Sequence, residues 1–100
     1  MKEKIRFQKT VPGDLDEIFK AYESISPNAA NNVRADISRS LELIESFPEM
    51  YATIDGDIRL VKTKSYPLLI QYSMVNEIPI VLSIYHADLD EFKRPQSNAE

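Results

Sequence analysis

The sequence predicts an α+β domain with the order β-α-α-β-β-β, an antiparallel sheet with a helical hairpin packed on one face. Three observations lead there. Residues 58–86 hold three apolar, β-branched or aromatic runs, 58–63, 68–75 and 78–85, divided by short polar breaks. Runs of this length read as strands, and breaks this short allow antiparallel neighbours. Residues 26–48 carry Ala30, Val33, Ile37, Leu41, Ile44 and Phe47 in steps of three or four, which is one apolar helical stripe. A chain of one hundred residues makes one domain. Two helices cannot cover both faces of its sheet, so one face stays open, concave by twist.

Each element has its own justification. Residues 4–9 alternate Ile5 and Phe7 with Arg6 and Gln8, a short strand with one buried face. We expect it beside the last strand, at an edge. Val11-Pro12-Gly13 reads as a turn. Asp14 then stands as an N-cap with Glu17 at capping-box spacing. Leu15, Ile18, Phe19, Tyr22 and Ile25 form the stripe of a first helix over about residues 15–24. Ser26 and Pro27 cap and open the second helix, and Pro48 stops it. Arg34, Asp36, Arg39, Glu42 and Glu45 fall outside its stripe, on the other faces. Residues 48–57 read as a connection with an Asp55-Gly56 turn. Only Asn76-Glu77 separates the last two runs, the length of a hairpin turn. Leu89 and Phe92 suggest one more helical turn, which places the domain at residues 1–93 and a polar, disordered tail at 94–100.

Composition excludes several function classes. There is no cysteine, hence no disulfide framework, thiolate nucleophile or Cys-ligated zinc. Two glycines, Gly13 and Gly56, cannot build a phosphate-cradling loop, and no cofactor is expected. The acidic run 88–91 lacks the loop glycine of an EF-hand, so no metal site is expected. The first ten residues have no apolar h-region and no run approaches a membrane span, which predicts a cytoplasmic protein. A net charge of −4 disfavours nucleic acid as the partner.

The ordered set of Asp36-Ile37, Phe47-Pro48, Gly56-Asp57-Ile58-Arg59, Tyr66-Pro67 with Ile70 and Tyr72, and Tyr85-His86 resembles the RelE/ParE superfamily of bacterial toxins. The similarity runs over roughly residues 4–93 and rests on the ordered combination of these motifs. It implies the toxin half of a type II toxin–antitoxin pair, of the kind called plasmid stabilisation proteins, with a cognate antitoxin as partner. RelE-like members cut mRNA on the ribosome, and ParE-like members poison DNA gyrase. The RelE-like chemistry needs cations on the phosphate and an acid or base near the 2′-hydroxyl. The catalytic candidates are Arg59, Lys62, Lys64 and His86, the one histidine. Pro67 and Leu68 stand where a RelE-like enzyme carries a basic residue, and an acidic run follows the last strand. The ParE-like, non-nuclease branch is therefore favoured. Its partner-binding candidates are Arg59, Tyr66, Tyr72, Tyr85 and His86, and homodimerisation is compatible with the pattern. A non-toxic interaction domain of the same fold is the third reading. Each candidate also has a bland role: tyrosines mostly pack, His86 mostly holds a neighbour, and lysines mostly guard an edge.

Overall fold

The computed structural model of the chain describes residues 5–87. The order is β1 (Arg6–Phe7), α1 (Val11–Glu23), α2 (Pro27–Ser46), β2 (Thr53–Asp55), β3 (Ile58–Lys62), β4 (Leu68–Val75) and β5 (Ile78–His86). The expected α+β architecture is present, with one strand more than the sequence reading gave and with β1 parallel to its neighbour, so the sheet is not antiparallel throughout as expected. The five strands form one mixed sheet in the order β1-β5-β4-β3-β2. β3, β4 and β5 are an antiparallel meander, and β1 lies parallel to β5 at the edge, beside the last strand as expected. The helical turn at Leu89 and Phe92 and the tail at 94–100 lie outside the described residues.

Alternation along β4 fixes which face is covered. Leu68, Ile70 and Tyr72 join Val33, Ile37 and Ile44 of α2, Val11 and Ile18 of α1, Val61, Val81 and Ile84 in one buried cluster. α2 forms as its sequence demands. The Ser26 hydroxyl accepts the Ala29 N–H at 3.0 Å and Pro27 opens the first turn. The stripe is buried at Ala30, Val33, Ile37 and Ile44 and half-buried at Leu41, but Phe47 at its end is exposed rather than packed.

α1 differs from expectation. Its first turn is Val11-Pro12-Gly13, its N-cap is Thr10, and no side chain caps it. Proline suits the first turn, where its missing N–H would be unpaired anyway. Asp14 does not cap the helix, because its carboxylate accepts the Ile84 N–H at 3.1 Å. β1 pairs with β5 only as far as Val81, where Gln8 N–H donates to the Val81 carbonyl. Beyond that point the edge of β5 is served by α1, through Asp14 and through the Thr10 hydroxyl, which donates to Leu82 O at 3.3 Å. Side chains thus replace the ladder that a longer β1 would supply.

Residues 48–57 are more than a connection, since β2 pairs antiparallel with β3 around the Gly56 turn. At the β4–β5 hairpin both loop residues are left-handed, Asn76 at φ 52° and Glu77 at φ 69°. Two such residues make the turn whose twist matches the strands. Glutamate holds this conformation at a steric cost that glycine does not carry. Relief of the roughly 1–2 kcal/mol left-handed penalty, less the roughly 0.5–1 kcal/mol of chain entropy that glycine costs, means that Glu77→Gly should raise unfolding stability by about 0.5–1 kcal/mol, read as a higher urea midpoint at unchanged slope. A lower midpoint would show that the Glu77 side chain supplies something the turn needs.

Candidate functional site

The sheet face away from the helices is one candidate surface. The rows Lys62–Leu69–Tyr85, Leu60–Gln71–Ser83 and Ser73–Ile80–Arg6 run across it, opposite the buried row of Val61, Ile70 and Ile84. Gln71 Nε2 donates to the Tyr85 hydroxyl at 2.7 Å, which fixes the ring among these rows. The face is half-buried and mixed, with aliphatic side chains between polar ones. Lys62 and Arg6 are its exposed cations, and Lys64 is exposed just past β3.

Arg59 points to the other side. It pairs in register with Tyr72, and its guanidinium Nη1 donates to the Tyr51 carbonyl and, at 3.4 Å, to the Glu49 carbonyl. Its Nε is buried without a hydrogen-bond partner. Arg59 therefore ties the 48–52 connection to the sheet instead of presenting a free cation. Tyr72 is 0% exposed, and its hydroxyl donates to the Pro48 carbonyl at 2.5 Å. A tyrosine with no surface offers a partner nothing, so Tyr72 leaves the set of contact residues and joins the core. Its hydroxyl pKa is raised, first by burial and then by Tyr51, with Arg59 opposing.

A third grouping lies where α1, β5 and the β3–β4 connection meet. The Tyr22 hydroxyl and His86 Nε2 are 3.1 Å apart, and the two rings stack with centroids 5.6 Å apart. Tyr66 meets Tyr22 edge-on at 5.3 Å. Beneath it lies a residue that the sequence reading placed on an outer face of α2. Asp36 is 2% exposed, and its Oδ2 accepts the N–H groups of Ser65 and Tyr66, each at 3.0 Å. Its Oδ1 has no hydrogen-bond donor, although Arg39 Nη1 is 3.8 Å away. A carboxylate taking two adjacent backbone donors fixes the loop that delivers Tyr66. A shallow pocket of about 280 Å³ opens here between Asn32, Ala35, Asp36, Arg39, Ser65 and Tyr66.

The structure thus divides the sequence candidates. Lys62 and Tyr85 share the open face. Arg59 and Tyr72 stand on the helix side near 48–51, and Tyr66 and His86 stand on the helix side beneath Tyr22. Arg59, Lys62, Lys64 and His86 do not converge on one point. The residues that the sequence reading missed are Asp36, Asp14 and Tyr22, all engaged with distant backbone or rings. Only Asp36 carried a signal, as a charge in a position between the buried Val33 and Ile37. Among the described residues no group of three or more His, Asp or Glu is placed to hold a metal ion. Among them, too, no helix is long and apolar enough to cross a membrane.

No protein-family model matches the chain, and no curated protein matches it. A search of solved structures does find similarity. One chain of the chromosomal ParDE TA system from P. aeruginosa matches with a TM-score of 0.73 at 17% sequence identity, over 83% of this chain and 94% of that chain. At this identity the likeness is one of fold, and it agrees with the fold that the RelE/ParE resemblance implied.

Two outcomes test these assignments. Asp36→Ala should lower stability by about 1.5–3 kcal/mol and speed hydrogen exchange at the Ser65 and Tyr66 amides, while distant strand amides change no more than global stability does. Unchanged exchange at those two amides would remove the anchoring role. For Tyr72, a folded pKa raised above its ordinary 10.0 keeps the native hydroxyl protonated where the unfolded one has ionised. The native state then holds more protons, so stability is full below pH 10 and falls as pH rises from there towards the folded pKa. Tyr72→Phe should flatten that alkaline decline in a urea series from pH 8 to 11, and an unaltered decline would refute it.

Proposed function

We propose that the chain is the ParE-like toxin component of a type II toxin–antitoxin pair, a cytoplasmic protein that binds a protein target and is neutralised by a cognate antitoxin. The fold shared with a chain of a ParDE system carries this reading. The placement of the cations supports the non-nuclease branch. Cleaving an RNA strand needs positive charge and a proton carrier around one phosphate. Here Arg59 is spent on the Tyr51 and Glu49 carbonyls, His86 sits against Tyr22, and Lys62 faces the opposite side of the sheet. The antitoxin, on this reading, occupies the groove between the helix pair and the sheet, close to Tyr66 and His86. DNA gyrase is the target that the ParE-like branch implies.

Inducible expression in a bacterium should arrest growth, and co-expression of the neighbouring short reading frame should restore it. Purified protein should block supercoiling by gyrase and leave labelled mRNA intact in a translation extract. Ribosome-dependent cleavage that disappears in Arg59→Ala with His86→Ala would replace this reading with the endoribonuclease one. A harmless product that binds no neighbour-encoded protein would leave a non-toxic interaction domain.

A further inference from the structure

We propose that the C-terminal end of α2 and the turn after it form a docking surface for a basic amphipathic helix of another protein. Leu43 lies in the last turn of α2, the N–H of the C-cap residue Phe47 donates to the Leu43 carbonyl at 2.8 Å, and the Met50 N–H donates to the Phe47 carbonyl at 3.0 Å, so the three are neighbours along the backbone. They are 39%, 57% and 56% exposed. Three large apolar side chains held out of the core at one place mark an interaction site, where a lone exposed one would not. Phe47 is aromatic and Met50 is adaptable, both enriched where partners bind.

Charge selects the partner. Glu42 stands beside Leu43, and Glu49 precedes Met50, both exposed. Among the described residues neither carboxylate forms an ion pair, and the nearby cations are engaged: Arg39 with Asp36 at 3.8 Å, Arg59 with backbone carbonyls. The apolar ridge is therefore rimmed by free negative charge, which favours lysine or arginine opposite. A second copy of this chain across a twofold axis would set the same glutamates against one another. An extended strand is less suited, since β2 nearby is three residues long and shifts register between Thr53 and Asp55, which blunts an edge. A helix laying an i, i+3, i+4, i+7 apolar face on the ridge meets both requirements.

The test does not depend on the toxin reading. A synthetic amphipathic peptide with leucines at those positions and lysines flanking them is titrated into the isotope-labelled full chain, with a matched peptide carrying glutamate for lysine as control. The basic peptide should shift the amides of Leu43, Phe47 and Met50 first, and binding should weaken with added salt. Phe47→Ser should reduce its affinity about tenfold, and Glu42→Lys with Glu49→Lys should reverse the preference to the acidic peptide. Circular dichroism checks that both variants stay folded. No shifts at these amides, equal binding of the acidic peptide, or affinity untouched by Phe47→Ser would each overturn the proposal.

Discussion

Two helices have to cover five strands, and the resulting one-sided burial is the constraint from which the rest of the structure follows. β4 lies at the centre of the sheet order and presents Leu68, Ile70 and Tyr72 to the same buried cluster as Val33, Ile37 and Ile44 of α2. Period-two alternation then leaves Leu69 and Gln71 on the far side, where Leu69 is still only 9% exposed and Gln71 half-buried. A slip of one residue in β4 would exchange these sets and place Gln71 in the core. Polar groups that the packing does bury are held by specific partners. Asp36 takes two backbone N–H groups from the β3–β4 connection, and Asp14 takes one from β5. Both are charges on helices used to secure strands or loops distant in sequence.

This division explains what could be read from the sequence. α2 was legible because its period, its Ser26-Pro27 start and its Pro48 stop agree with one another. The meander was legible because three β-rich runs leave too little chain between them for crossovers. The early start of α1 was not, because Val11-Pro12-Gly13 has the composition of a turn and forms a helical one only with α1 continuing behind it. β2 was not, because three exposed residues carry no alternation to detect. The place of Asp36 between Val33 and Ile37 hinted at burial, but the two N–H groups that justify it lie 29 and 30 residues away. Phe47 misled in the other direction. It continues the apolar stripe by spacing, yet the helix ends one residue earlier and the side chain is 57% exposed.

The same logic governs the candidate residues. A strand residue's face is set by parity, and Arg59 and Lys62 differ by an odd number, so they cannot share one. Arg59 has the parity of Val61, which is core, and Lys62 has the parity of Leu60, which is open. A catalytic cluster drawn from both would need a bulge between them, and β3 pairs with β4 through four consecutive residues from Arg59 to Lys62 without a shift. The β4–β5 ladder does shift between Gln71 and Tyr72, but that irregularity adjusts β5 and does not move β3.

The described residues include eight lysines and arginines: 6, 9, 20, 34, 39, 59, 62 and 64. Lys20 pairs with Asp16, Arg34 with Glu23 while lying over the Phe19 ring, Arg39 with Asp36, and Arg59 with carbonyls. Among the described residues that leaves Arg6, Lys9, Lys62 and Lys64 outside such contacts. Arg6 and Lys62 face the open side from β1 and β3, with β5 and β4 between them. Adjacent strands lie about 4.8 Å apart, so two cations separated by three strand spacings stand well beyond a Debye length of about 8 Å at physiological salt. Arg6 and Lys62 therefore cannot jointly hold one phosphate. The open face joins buried Leu69 and half-buried Leu60, Ile80 and Tyr85 to exposed cations at its two sides, the mix of apolar and charged groups found where proteins meet.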